Sequence, residues 1–257
     1  MLFCRYGPEG FHAAGESFAE MRILFSDPLT TPVSQWQLGR AIDLSREGLR
    51  PPVEPGKIVG IGRNYVEHAK ELDNPVPKEP VLFLKSPGSL TGPGSPVVLP
   101  PESERVEYEG EIVVVLGARL TRASAEDAAR AVVGVTAGCD VTARDLQRRD
   151  PTFARAKSFD TFCPLGPAVR VAPDLEDLEV VTRVNGEERQ RGHVRQMIWG
   201  IVDLLVYASR MMTLEPGDVV MTGTPAGVGP LADGDRLEVE VSGVGVLANP
   251  IEAWRQG

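Results

Sequence analysis

The chain has 257 residues, 42% hydrophobic and 25% charged, with a formal net charge of −9 at pH 7. That suits a soluble globular fold with a sizeable core, as one large domain or a domain with a small appendage. The acidic balance, with no basic stripe, argues against a nucleic-acid or anionic-membrane partner, and no apolar run approaches the roughly 18 residues of a membrane span. The N-terminus lacks the basic and apolar regions of a secretory signal. Cys4, Cys139 and Cys163 show no CxxC spacing and no even pairing, which fits a reducing, cytoplasmic setting.

Residues 1–50 carry no strong hydrophobic period. Leu49 to Gly56, with three prolines and a glycine, reads as a linker. Lys57–Gly62 is a predicted strand, and Asn64 is placed to cap a short helix through about Leu72, stopped before Asn74-Pro75. Pro80–Lys85 is a further strand, followed by a Gly/Pro-rich loop over 86–96. Glu107, Glu109 and Glu111 then alternate into the β-branched run Ile112–Leu116, so that one strand would carry three carboxylates on one face. Ser124, with Asp127 three positions on, starts a helix for which Gly134 is the predicted stop. A second helix is predicted from Arg195 to Met212, where Met197, Ile201, Leu204, Leu205 and Ala208 recur at three- and four-residue steps. After the Pro216-Gly217 turn, short Val-rich strands alternate with Gly-rich turns to Ile251. Strands dominate without βαβ alternation, so the expected fold class is α+β, mainly β.

The alternating glutamates are the first candidate site. Like charges held together raise one another's pKa, and a hard cation such as Mg²⁺ would relieve them. The same pattern also fits a solvated acidic edge strand. His68 has Glu71 at i+3 on a predicted helix, a spacing that lets a carboxylate orient an imidazole as general base, or forms a simple surface pair. Asp140 closes an apolar strand, as a third oxygen ligand or a helix cap. Lys157, flanked by small and aromatic residues, could bind a substrate carboxylate or pair with Asp160. His193 falls in the polar stretch 185–196 and reads as a solvated loop residue. GxSxG, Walker-type and HExxH motifs are absent, and the glycines of 223–229 do not follow the dinucleotide fingerprint. Oxygen ligands without a His/Cys cluster favour Mg²⁺ or Mn²⁺ over zinc.

Five motifs in order resemble those of the fumarylacetoacetate hydrolase family over about Pro55 to Ile251. They are Gly62-Arg63-Asn64-Tyr65 with His68, leading on to Glu79–Lys85; Tyr108-Glu109-Gly110-Glu111-Ile112; Asp140–Gln147; Lys157-Ser158-Phe159-Asp160; and Gly217–Pro225. The resemblance implies a mixed β-sandwich roll over 53–257, a small variable N-terminal domain over 1–52, and a homodimer. It places metal ligands at Glu109, Glu111 and Asp140, with Glu107 outside the set. It places a lid dyad at His68 and Glu71, a catalytic lysine at Lys157, and substrate contacts at Arg144, Gln147 and Thr224. The founding hydrolase has an additional aspartate ligand upstream of its catalytic histidine, where this chain has Arg63, Asn64 and Tyr65. That puts it nearer the small bacterial branch.

The implied activity is a Mg²⁺- or Mn²⁺-dependent reaction on 2-oxo, enolisable carboxylic acids. The first expectation is the isomerase or decarboxylase step on 2-hydroxyhepta-2,4-diene-1,7-dioate in aromatic catabolism. Hydrolysis of acylpyruvates and decarboxylation of oxaloacetate are close alternatives. A catalytically inactive binding protein on the same fold would have lost a metal carboxylate or the lysine, and this chain keeps them. Fold and motif do not choose the substrate.

Overall fold

The β-branched run after the glutamates is the centre of the molecule. The computed structural model describes residues 1–71 and 76–256. The first half holds β1 (Leu2–Tyr6), β2 (Phe11–Gly15), β3 (Arg22–Leu24), β4 (Leu38–Ala41), β5 (Leu49–Arg50), β6 (Ile58–Gly62), α1 (Val66–Glu71), β7 (Val81–Lys85), β8 (Leu90–Thr91) and β9 (Val97–Leu99). The central elements are β10 (Val106–Tyr108), β11 (Gly110–Leu116), α2 (Ala125–Ala131), β12 (Val132–Cys139), β13 (Thr142–Ala143), α3 (Arg144–Gln147) and α4 (Ala154–Lys157). The remainder is β14 (Cys163–Val171), β15 (Glu179–Val184), β16 (Glu187–His193), α5 (Ile201–Met211), β17 (Val219–Met221), β18 (Gly229–Pro230), β19 (Arg236–Val241) and β20 (Gly245–Ala253).

The largest sheet runs β4-β3-β2-β1-β14-β12-β11-β17-β6-β7, with β5 and β8 attached at its side. A second sheet runs β16-β15-β19-β20-β9, and a small one β13-β10-β18. The class is α+β, mainly β, as expected. Every residue of β11 is buried, as a strand covered on both faces requires. Its side chains alternate between two cores. Ile112, Val114 and Leu116 pack with Val180, Val239 and Leu247 of the second sheet, and with Leu204 and Leu205 of α5. Val113 and Val115 face Phe3, Ile58, Val219 and Met221 on the other side. Residues 1–50 extend the large sheet, because β1 pairs antiparallel with β14.

Helix α2 starts as predicted, with Ser124 Oγ accepting the Asp127 N–H at 3.1 Å. Helix α5 buries Ile201, Leu204, Leu205, Ala208 and Ser209, one stripe at helical spacing. No helix among the described residues is long and apolar enough to cross a membrane.

Five local expectations are corrected. The three glutamates do not share one strand: β10 pairs with β13 and β18, β11 pairs with β12 and β17, and Glu109 sits at the break. Gly134 lies inside β12, where a Cβ would stand 2.1 Å from the Arg170 carbonyl oxygen, so that glycine serves strand packing and not a helix stop. The predicted helix from Arg195 is interrupted. A 3₁₀ turn covers Val194–Gln196, and α5 begins only after Gly200. The cause is tertiary: Ile198 N–H donates to the Asn64 carbonyl at 2.8 Å and Trp199 N–H to Asn64 Oδ1 at 3.0 Å, which holds that segment extended. Asn64 is thereby a bridge between segments and not a helix cap. His193 ends β16 and caps the 3₁₀ turn, where a free loop was expected. The predicted end of the first helix, at Leu72 to Pro75, lies outside the described residues.

Candidate active site

Strand pairing brings the acidic residues together. Gly110 is paired with Cys139, so the residues flanking that pair, Glu109 and Asp140, are adjacent, and Asp140 N–H donates to the Glu109 carbonyl at 2.8 Å. Only glycine fits between the two glutamates, since a Cβ on Gly110 would lie 1.9 Å from Thr182 Oγ1 of the second sheet. The result is a tight group in which one carboxylate oxygen from each of Glu109, Glu111 and Asp140 lies within 4.8 Å of the others. All three side chains are buried.

Three buried cations surround them. Lys157, at the end of α4, donates to Glu109 Oε2 at 2.9 Å, to Asp140 Oδ2 at 2.5 Å and to Thr142 Oγ1 at 2.9 Å. Lys85, ending β7, donates to Asp140 Oδ1 at 2.6 Å and also meets the Lys157 carbonyl. Arg144, opening α3, spans Glu107 Oε2 at 2.6 Å, Glu109 Oε1 at 2.5 Å and Gln147 Oε1 at 2.6 Å. Burial alone would push the Glu109 carboxyl up, but the charges of Lys157 and Arg144 outweigh it and hold it well below the usual range. Burial would lower the Lys157 ammonium, yet Asp140 and Glu109 hold it above its ordinary value. Glu111 is the exception. Burial, then the Asp140 and Glu109 charges, drive it well above the usual carboxylate range, with one hydrogen bond from Gly223 N–H at 2.7 Å in opposition.

That uncompensated position bears on metal binding. Buried carboxylate oxygens are the donors a hard divalent ion prefers, and the charge crowding at Glu111 is relieved by a cation. Glu109, Glu111 and Asp140 therefore fit Mg²⁺ or Mn²⁺. Glu107 faces elsewhere: it accepts from Arg144 and from Arg105 Nε, and lies outside the group of three.

A cleft of about 310 Å³ opens over these groups. Its wall includes Glu109, Glu111, Arg144, Gln147, Lys157, Thr224 and His68, so eight of the nine residues singled out in the sequence line or adjoin one space. The ninth, Glu71, acts from behind: its Oε2 lies 3.4 Å from His68 Nδ1. Glu71 also accepts the Gly227 N–H at 3.0 Å, tying α1 to the loop that carries Thr224. Thr224 Oγ1 donates to the Gly110 carbonyl at 2.9 Å and accepts from Gln190 Nε2 at 2.8 Å. Lys157 does not pair with Asp160; its partners are Glu109, Asp140 and Thr142.

Other contributors went unassigned in the sequence. Lys85 belongs to a recognised motif, and a lysine ending an apolar strand was the available signal. Phe83 lies under the Lys157 ammonium, 4.8 Å from ring centroid to Nζ, and Phe153 packs edge-on against it. Arg63 and Arg148 complete the wall.

The site thus joins, on a mainly β fold, a buried oxygen-only carboxylate triad that could hold a metal ion, a buried lysine beside it and a histidine–glutamate pair at the same cleft. The comparisons narrow the class. Residues 57–252 match the family model described as fumarylacetoacetate (FAA) hydrolase, C-terminal. Among similar proteins, the human mitochondrial oxaloacetate tautomerase FAHD2A is 43% identical over 215 residues, covering 79% of this chain and 68% of that protein. The 2-hydroxyhepta-2,4-diene-1,7-dioate isomerase structure from Mycobacterium marinum superposes with a TM-score of 0.89 at 35% identity, covering 100% of both chains. The 5-carboxymethyl-2-hydroxymuconate delta-isomerase from Mycobacterium smegmatis gives 0.89 at 36% identity, covering 99% of this chain and 100% of that one. The chain belongs to the fumarylacetoacetate hydrolase family.

Proposed function

We propose that the protein is a Mg²⁺- or Mn²⁺-dependent enzyme that enolises 2-oxo carboxylic acids, as an isomerase or tautomerase of the 2-hydroxyhepta-2,4-diene-1,7-dioate and oxaloacetate type. The observation that carries this reading is the convergence of Glu109, Glu111 and Asp140 within 4.8 Å beside Lys157 and His68 in one cleft. Glu109, Glu111 and Asp140 would hold the ion, and when bound it supplies Lewis-acid stabilisation of the enolate oxygen.

The chain's own groups do the rest. His68, buried and oriented through Nδ1 by Glu71, takes the proton from the carbon next to the carbonyl and returns it at the same or a conjugated carbon. Lys157, whose three N–H groups are engaged by Glu109, Asp140 and Thr142, sets its positive charge beside the carbonyl oxygen as negative charge develops there. Gln147 Oε1 is occupied by Arg144, which leaves its amide NH₂ to donate to a substrate oxygen. Thr224 is fixed by Gly110 and Gln190 and lines the same cleft. Burial of His68 on the inner side of α1 keeps bulk water from the proton in transit.

The relatives' printed activities, a tautomerase and two isomerases, support proton movement over hydrolysis. Hydrolysis of an acylpyruvate is the second reading, since the His68–Glu71 pair could equally activate a water. A homodimer is part of the proposal; exposed Phe11, Phe25, Met211 and Trp254 offer apolar surface for one. A role in aromatic catabolism in the cytoplasm accompanies the isomerase reading.

The test is a turnover panel with Mg²⁺ and Mn²⁺ over oxaloacetate, an acylpyruvate and the seven-carbon dienedioate, with Glu109→Ala as control. Activity on a 2-oxo acid that vanishes in the control is expected. Equal activity in both proteins, or activity confined to substrates without a 2-oxo acid, would overturn the proposal.

A further inference from the structure

The geometry points to Tyr108 as a further positioning residue, which acts on His68 through Gly227 and Glu71 from outside the cleft. The inference rests on the reading above, in which His68 moves the proton. It also gives a role to Gly227-Val228-Gly229, glycines that follow no nucleotide-binding motif.

Connectivity is the first ground. Tyr108 Oη donates to the Gly227 carbonyl at 3.0 Å. The N–H of the same glycine donates to both oxygens of Glu71, at 3.0 and 3.2 Å, and Glu71 Oε2 faces His68 Nδ1 at 3.4 Å. A carboxylate only accepts, so the ring nitrogen facing it carries the hydrogen and Nε2 is left free to take a substrate proton. Glu71 is 32% exposed and sits at the end of a helix of six residues. Its contact with His68 three positions back is a weak restraint on its own. Gly227 supplies the hydrogen bonds that keep this carboxylate turned towards the imidazole, and Tyr108 fixes Gly227.

The build of the loop is the second ground. Gly227 has φ +103°, and a Cβ there would run into the Arg189 carbonyl oxygen of β16. Gly229 is the strand partner of Tyr108, and a Cβ on it would stand 2.8 Å from the phenol oxygen. The first glycine thus lets the loop lie against β16, and the second makes room for the Tyr108 hydroxyl. Just upstream, Gln190 Nε2 of β16 donates to the Pro225 carbonyl and to Thr224 Oγ1, each at 2.8 Å. The loop is therefore tied to β16 on one side and to β10 through the buried Tyr108 on the other. Precise placement of a reacting group needs such outer support, because the group's own contacts leave it room to move.

The experiment combines the tautomer of His68 with a double-mutant cycle. The chain has three histidines, so ¹⁵N NMR above the ordinary imidazole titration range resolves and assigns each ring. Wild-type His68 should hold its hydrogen on Nδ1. Tyr108→Phe should move it towards Nε2, the form that free imidazole favours, and lower kcat by about threefold to tenfold with KM within about twofold. In a Glu71→Ala background, Tyr108→Phe should change neither the tautomer nor kcat further, since the two residues act in series. Gly229→Ala, which crowds the phenol oxygen, should shift the tautomer in the same direction, and Tyr6→Phe, a buried tyrosine far along the large sheet, should leave it unmoved. An unmoved His68 signal in Tyr108→Phe, or the same fold-loss of kcat with and without Glu71, would overturn the inference. Should Tyr108→Phe fail to fold, Gly229→Ala carries the test, and an unmoved signal there has the same force. The tautomer is read without turnover. If it shifts while the turnover panel is negative, the catalytic reading fails and the positioning of His68 by Tyr108 stands; if the panel is positive and it does not shift, only this inference falls.

Discussion

Lys157 Nζ lies 2.9 Å from Glu109 Oε2, with both side chains buried, and the same ammonium reaches Asp140. One cation thus bridges two of the three carboxylates that would hold a metal and offsets part of their mutual repulsion. Removing one partner from such a buried pair leaves an uncompensated charge, which costs about 3–5 kcal/mol. Lys157→Met should therefore lower the melting temperature of the metal-free protein by roughly 6–20 °C. Turnover should fall by about 10²-fold or more, because the positive charge beside the enolate oxygen is gone. Paired thermal denaturation and steady-state kinetics measure both.

Glu111 should behave in the opposite sense. Its carboxyl is destabilised by burial and by Asp140 and Glu109. Glu111→Gln removes that repulsion and can keep the acceptor for Gly223 N–H. The metal-free variant should melt at the wild-type temperature or a few degrees above it, roughly 2–4 °C per kcal/mol gained. It should also lose the upward shift that millimolar Mg²⁺ or Mn²⁺ gives the wild type by mass action. A metal-induced shift of wild-type size in the variant would remove Glu111 from the ligand set.

Glu107 separates positioning from ligation. It holds Arg144, which in turn orients Glu109 and Gln147. Glu107→Gln should keep the metal-induced stabilisation while raising KM by about tenfold, the cost of losing one charge-assisted hydrogen bond. Loss of metal binding in this variant would contradict its place outside the site.

The lid pair yields a kinetic prediction. Glu71 orients His68 and accepts from Gly227, so Glu71→Ala should lower kcat by about 10²-fold and change KM little. Glu67→Ala is the matched control on the same helix, where an exposed Glu67 meets, among the described residues, only Lys70. A drop in both variants would point to general damage to α1.

Away from the site, His12 predicts acid sensitivity. Burial, then the Arg5 charge, hold its imidazole below the ordinary 6.5, with Asp27 and Glu54 in opposition. A histidine whose folded pKa is depressed contributes stability that is present above the unfolded value and is lost as pH falls through the folded one. Wild-type stability should therefore decline below about pH 6.5, and denaturant unfolding of His12→Gln across that range should show a shallower decline.

What the sequence made legible was local. The β-branched run Ile112–Leu116 announced a strand, though not its full burial, and the Ser124 cap and the stripe on α5 followed from short-range chemistry. The alternating glutamates misled in one respect, because the break at Glu109 arises from strand partners far along the chain, β13 and β18 on one side and β12 on the other. Gly200 and the bonds from Asn64 broke a helix whose apolar period looked continuous. Asp140 and Lys157 stood as candidates with two readings each until the family resemblance chose between them, since no spacing links them to Glu109. Arg63 and Arg148 carried no local signal for a role, Lys85 only its place at the end of an apolar strand, and it is the folded cleft that assembles them.

The most direct measurement of the central claim is NMR-monitored exchange of the C3 protons of a 2-oxo acid in deuterated buffer, with Mg²⁺, against the rate with the ion alone. Wild type should accelerate exchange, the acceleration should disappear on chelation, and Glu109→Gln and His68→Gln should abolish it. Exchange at the wild-type rate after chelation, or in Glu109→Gln, would contradict an enolising site built on Glu109, Glu111 and Asp140.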